Sequence, residues 1–500
     1  MGNAVSVAIV HFGLFFCGYL FLMASVPRIG VLSICALSLH VGISIWAVIW
    51  LSFYVMGVDG GYGWDGTRNV YAVIAYACII LLLFAFIMRK LWFKFPNIRL
   101  LGSKILITGV AIIAVVAYSI LGHFFPIRIW IAGDSYHFIL WSVDPESLLH
   151  HGFPIVNYTL TQLATLIAPN LVLAQLFPLM AIGLAISVSQ FAYQIILREN
   201  FVGKIGLEVI FVFLTVGFVV FVGNSMFMLN SAYLNHHILA AGLFLLLAQI
   251  VYTNATQKLN FGYLSAMALL GIAISIARME GFVFLIILLF VMLVTQRDKF
   301  AGFWVMLIAG SLVLPYLFWL REFLNEESFV KGHHYVVMIL SYIFVLLSML
   351  ALTMVRIRAD VIISLGWFII ALSLMLTIVL RPEHMGISMI YFLWNTLNIA
   401  SWGALVWITL FGLVIAAYVR LKVGKSLLVH THDAVFHAAA FCVGVLLLMT
   451  YFRISLRAGE TDSANRMLFH FLPLFWVVVQ VELVGRMADF ISNRSPGVRT

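Results

Sequence analysis

Charge is what this chain lacks. Only 9% of its 500 residues are Asp, Glu, Lys or Arg, against 64% hydrophobic residues. A water-soluble protein of this length cannot hide so much apolar surface, so that class is excluded. Cysteine is scarce too. Cys17, Cys35, Cys78 and Cys442 all stand inside apolar stretches, with neither metal-ligand spacing nor the pattern of a disulfide framework. There is no Walker motif, no Gly-rich dinucleotide fingerprint and no polar region large enough for a nucleotide-binding domain. Energy or an activated group must therefore come from a gradient or from a carrier within a membrane. Low-complexity tracts, flexible linkers and clear internal repeats are likewise missing. The apolar N-terminus has no basic flank or small-residue cleavage site, which speaks against a removable signal peptide.

What is present is a succession of apolar runs of ~20 residues, each long enough to cross a ~30 Å hydrocarbon layer. Backbone exposed to lipid must satisfy its own hydrogen bonds, so the runs are expected to be helices. The spans read as 4-25, 31-57, 69-88, 103-122, 171-197, 205-223, 233-252, 259-277, 281-296, 301-320, 335-355, 360-380, 398-418, 432-452 and 467-486. The fold class is an all-α polytopic membrane protein of about 13–15 transmembrane helices.

The few charges are sorted between alternate connections. One set holds Arg28, Arg89, Lys90, Lys94, Arg99, Lys104, Arg198, Lys204, Lys258, Arg297, Lys299, Arg356, Arg358, Arg420, Lys422, Lys425 and the Arg486–Arg499 tail, together 19 of 28 basic residues. The other set holds 12 of the 19 acidic ones, from Asp59 to Asp462. The basic side is assigned to the cytoplasm, giving an outside N-terminus and an inside C-terminus. The net charge of +9 is explained by these anchors, and no nucleic-acid partner is called for.

The longest outer connection, 123-170, carries Gly133-Asp134-Ser135-Tyr136-His137, followed by Asp144 and Glu146. A carboxylate beside hydroxyl and imidazole groups can serve as a general base, although a loop Asp can equally cap a helix. The segment Val156–Leu163 mixes polar and apolar residues at helical spacing, as an interfacial helix does. Arg278-Met279-Glu280-Gly281 falls where two apolar helices meet with almost no loop. Charges there need partners, and an Arg fork suits a phosphate. Asn235-His236-His237 lies at the outer end of a span, with Asn224 and Asn230 before it. Adjacent helical residues point apart, which favours a polar lining over a metal site. Arg453, Arg457 and Arg466 stand on the outer side with Glu460 and Asp462, running into Met467-Leu468-Phe469-His470-Phe471-Leu472-Pro473. Arg321 to His334 and Arg381-Pro382-Glu383-His384 read as a wet rim.

The loop Asp, the Arg-x-Glu-Gly between two helices and the late Arg before a Pro-led apolar helix together resemble the GT-C class of membrane glycosyltransferases. That resemblance, spread over roughly 103-485, implies a GT-C-like bundle with a long outer loop bearing interfacial helices. It divides the chain into additional N-terminal helices (1-100), a catalytic membrane domain (101-486, catalytic loop 123-170) and a cytoplasmic tail (487-500). It implies a polyprenyl-phosphate-linked sugar donor, a glycan or glycolipid acceptor and a site opening on the outer face, in a bacterial inner membrane facing the periplasm. The sequon Asn157-Tyr158-Thr159 keeps an endoplasmic-reticulum membrane open. Asp134 and Glu280 are the catalytic candidates. Arg278, Arg466, Arg457, Arg453, Tyr136, His137, His236 and His237 are the substrate-binding ones. No cofactor is required, and a divalent metal remains an open addition. A polymerase or ligase of lipid-pyrophosphate-linked glycans, such as O-antigen, would share the outward Arg residues. A lipid-glycan flippase or transporter would instead place broken, charged segments at mid-membrane.

Overall fold

The computed structural model describes residues 2–57, 169–232, 237–254, 261–277, 280–294, 332–354, 358–398, 402–422, 433–452 and 463–494, with isolated residues of 303–314. Among these there is no strand. The helices in chain order are α1 (Gly2–Ser25), α2 (Val31–Gly57), α3 (Pro169–Arg198), α4 (Val202–Ile205), α5 (Leu207–Val222), α6 (Ser225–Ala232) and α7 (His237–Asn254). Then follow α8 (Phe261–Ala277), α9 (Gly281–Val294), α10 (Gly332–Met354), α11 (Ala359–Leu380), α12 (Pro382–Leu397), α13 (Gly403–Lys422), α14 (Asp433–Met449), α15 (Ser463–Leu468) and α16 (Leu472–Arg494). Four stretches within them are long and apolar enough to cross a membrane: Val31–Ile49, Phe177–Arg198, His237–Asn254 and Ala359–Leu380. A fifth arises if α5 and α6, bent by 67° at their junction, count as one.

Small residues let the helices approach closely. A Cβ added to Gly18 would lie 1.9 Å from the Ser38 carbonyl oxygen, and one on Gly42 would lie 1.9 Å from that of Leu14. Antiparallel α1 and α2 thus touch backbone to backbone, as helices do where small residues line the contact. Gly183 meets Ala36 in the same way and seats α3 on α2. Polar groups lock this corner. Gln194 donates to the Ile29 carbonyl, and Gln249 Nε2 bonds Ser33 Oγ and Gln194 Oε1, both at 2.8 Å. Gly30 takes a positive φ of 87°, and Gln194 fills the space that a side chain there would need.

These contacts also align the ends of the bundle. Arg198 donates to the Tyr252 carbonyl at 3.1 Å and lies over its ring. Ser25 abuts Gly262, and Phe201 abuts Gly485, one residue before Arg486. Arg28, Arg198 and Arg486 therefore gather at one end, hereafter the basic end. At the other end the helices stop at different heights. His40 of α2 packs on Gly242 of α7. From that level α2 continues for about 25 Å, whereas α7 starts only about 8 Å away. Cys442 of α14 donates to the Phe284 carbonyl of α9 at 3.7 Å. Beyond that contact α14 runs on for about 10 Å and α9 for about 5 Å. Inner helices thus begin below the tips of their neighbours.

Three departures from the sequence reading concern boundaries. The last span, expected from 467, is two helices with a break at Phe469–Phe471, because α15 ends at Leu468 and α16 starts at Leu472. Pro473 suits the first turn of α16, where a missing N–H costs nothing. α16 also runs to Arg494, so the helix continues beyond the expected end of the span at 486. The Arg381–His384 segment, read as a wet rim, leads into α12, and the residues up to Leu397, between two expected spans, are helical. Pro382 opens it, Arg381 donates to the Tyr451 carbonyl at 3.3 Å, and His384 Nε2 lies 2.8 Å from the Thr450 oxygen.

Candidate functional site

Most of the candidate residues, namely Asp134, Tyr136, His137, His236, Arg278, Arg453 and Arg457, lie outside the described residues, as do Asp144 and Glu146. Glu280, His237 and Arg466 are described, and the structure brings their segments together.

Glu280 opens α9. Its carbonyl accepts the N–H groups of Val283 (3.1 Å) and Phe284 (3.2 Å), and its side chain is buried. The tightness of the turn follows from Gly281, where a Cβ would sit 2.3 Å from the Ile274 carbonyl oxygen. Only glycine allows α8 and α9 to cross this closely, which fixes Glu280 at the joint. The sequence had placed this joint correctly, with α8 ending at Ala277 and α9 starting at Gly281.

His237 is the first residue of α7. Its Nδ1 lies 2.9 Å from Nε2 of His470, a partner that is 233 positions away, and both rings are buried. At this separation one nitrogen donates and the other accepts, so the facing pair carries one proton. His470 stands in the break between α15 and α16. Its neighbours dock in different directions. Phe469 lies between Trp402 (6.1 Å) and Phe227 (6.0 Å), while Phe471 lies between Phe244 (5.4 Å) and Phe284 (5.0 Å). The break is closed on itself by bonds from Phe469 N to Arg466 O, His470 N to Met467 O and Phe471 N to Leu468 O. Arg466, half-buried in the last turn of α15, is thereby tied to a segment held on α6, α7, α9 and Trp402.

Two further breaks meet this one. Asn224, between α5 and α6, caps α6 by accepting from Met226 N (3.0 Å) and Phe227 N (3.2 Å). Its Nδ2 donates to the Trp402 carbonyl, just before α13. Irregular backbone inside a bundle needs such partners. The layer therefore joins Asn224, Trp402, His470 and His237, with Glu280 one turn from Phe284.

The sequence reading found His237, Asn224 and the 466–473 segment, but it did not join them. The His237–His470 pairing has no local signal, since nothing in either segment specifies the other. His40 was missed although a lone imidazole in an apolar run is itself a signal. It is fully buried against Gly242. Among the described residues no group of three His, Cys, Asp or Glu could hold a metal ion. No family model, curated protein or solved structure matches this chain.

Proposed function

We propose that the protein is an integral-membrane glycosyltransferase. It takes a sugar from a polyprenyl-phosphate carrier and passes it to a glycan or glycolipid acceptor on the membrane face opposite the basic end. The observation that carries this reading is the meeting of two segments that resemble GT-C elements. The Glu280 turn and the Arg466–Pro473 run are almost two hundred residues apart in sequence, yet they are joined by the Phe284–Phe471 ring contact at 5.0 Å.

In this reading Asp134 orients the acceptor hydroxyl or takes its proton. The hydroxyl oxygen forms a bond to the anomeric carbon as the bond from that carbon to the phosphate oxygen breaks. The electron pair leaves on the lipid phosphate. Arg278 and Arg466 steady its developing charge. Glu280 is the second carboxylate at the site. Arg453, Arg457, Tyr136, His137 and His236 stay with the substrate-binding role, and a bacterial inner membrane with a periplasmic site is the location that accompanies it.

The test is transfer from labelled polyprenyl-phosphate sugars by protein in nanodiscs. Arg278→Ala and Asp134→Asn should each lower turnover by about a hundredfold or more while the protein stays folded. Full activity in folded Arg278→Ala removes that residue from the mechanism. Full activity in Asp134→Asn moves the base to Asp144 or Glu146.

A further inference from the structure

Arg466 reaches its place through a joint rather than through a continuous helix. α15 has only six residues, too few to hold a direction by itself. What orients it is the break that follows. Of the three break residues, Phe469 and Phe471 sit in aromatic sockets built by α6 and Trp402 on one side and by α7 and α9 on the other. Such sockets fix a ring's depth but tolerate rotation and sliding of an apolar surface. His470 is different, because its contact is directional. The 2.9 Å bond to His237 specifies both the ring orientation and the partner helix. Phe244 backs the ring at 6.1 Å, so the imidazole is clamped between a hydrogen bond and an aromatic face. His237, in turn, is the first residue of α7, a helix buried along almost its whole length, so it does not move to follow its partner. One turn before the joint, the Arg466 carbonyl accepts the Phe469 N–H, linking the key directly to the segment that carries the guanidinium.

We infer that His470, keyed to His237, is a positioning residue: it sets Arg466 toward the phosphate of the lipid-linked substrate. This rests on the proposed glycosyltransferase function for the meaning of Arg466, but not for the joint itself. The substrate class it concerns is a polyprenyl monophosphate, with or without its sugar. Two substitutions separate positioning from mere packing. His470→Phe keeps a ring in the socket and removes the directional bond. His470→Gln keeps a polar group able to bond His237.

The experiment measures binding of unglycosylated polyprenyl phosphate to the full chain in nanodiscs, together with transfer kinetics and thermal stability. For His470→Phe the expected result is affinity for polyprenyl phosphate weakened by about tenfold, with donor KM raised and kcat changed less. Restoration of most of the affinity in His470→Gln is also expected. Arg466→Ala and the Arg466→Ala/His470→Phe double variant should bind equally weakly, since a residue acting through Arg466 has nothing left to do in its absence. Fully additive losses in the double variant overturn the inference, and so does unchanged affinity in folded His470→Phe. If His470→Phe does not fold, the comparison moves to His237→Gln, for which the same non-additivity with Arg466→Ala is required. Wild type that binds polyprenyl phosphate in a His470-dependent way yet transfers no sugar contradicts the enzyme reading alone. Wild type that binds none contradicts both.

Discussion

Asn224 shows how much one side chain does at a helix break. Its Oδ1 takes two N–H groups that open α6, and its Nδ2 supplies a donor to the Trp402 carbonyl. Asn224→Ala removes a cap worth about 1 kcal/mol and leaves a buried carbonyl short of a partner, at a further 1–3 kcal/mol. A loss of about 2–4 kcal/mol on denaturation in detergent is expected from these two costs. A change within measurement error would mean that neither bond matters. At this scale the sequence was legible for residue types and not for pairings. His237, Asn224 and Arg466 were recognisable because polar residues are costly in apolar surroundings. That His237 meets His470, and that Asn224 meets Trp402, depends on where distant helices start, and no local pattern encodes that.

The elements were read more successfully, and the reason is physical. Each long helix is an apolar run closed by charge or by Gly, so α2, α3, α8, α11 and α14 begin and end within a few residues of expectation. The failures are helices that do not span. α6 follows a 67° bend at Gly223-Asn224, and α12 is a helix whose buried face mixes Met385 and Phe392 with Ser388 and Asn395 while Ile387, Ile390 and Trp394 are exposed. With apolar residues on both faces, α12 lacks the one-sided stripe of a core-facing surface helix. The close crossings yield a further prediction. Gly42→Ala places a methyl group against the Leu14 carbonyl and cannot be absorbed by a side-chain shift. It should destabilise the α1–α2 pair by about 1–3 kcal/mol, read as a lower denaturation midpoint. Gly281→Ala does the same to the α8–α9 joint through the Ile274 carbonyl. There the expected result is lost transfer in protein that still folds, because Glu280 is displaced. Normal turnover in Gly281→Ala would separate the joint from the chemistry.

At the scale of the whole molecule, charge sorting and packing agree on one axis. Arg28, Arg198 and Arg486 share the basic end, whereas Asn224, Trp402 and His470 meet toward the other. The sidedness that follows is testable in intact cells with a cysteine-free background. A membrane-impermeant maleimide should label Glu383→Cys, exposed at the start of α12, without permeabilisation. Glu208→Cys, exposed at the start of α5, should react only after it. The reverse pattern would turn the molecule over and put the proposed site in the cytoplasm. The central claim is the chemistry itself, and one measurement addresses it most directly. Purified protein in nanodiscs is offered a panel of radiolabelled polyprenyl-phosphate sugars, and release of sugar to acceptor glycolipid or to water is followed for wild type and Asp134→Asn. The account predicts release from one donor in wild type and its loss in the variant. No release from any monosaccharide donor, in protein shown to be folded, would contradict it and direct the search to pyrophosphate-linked oligosaccharides.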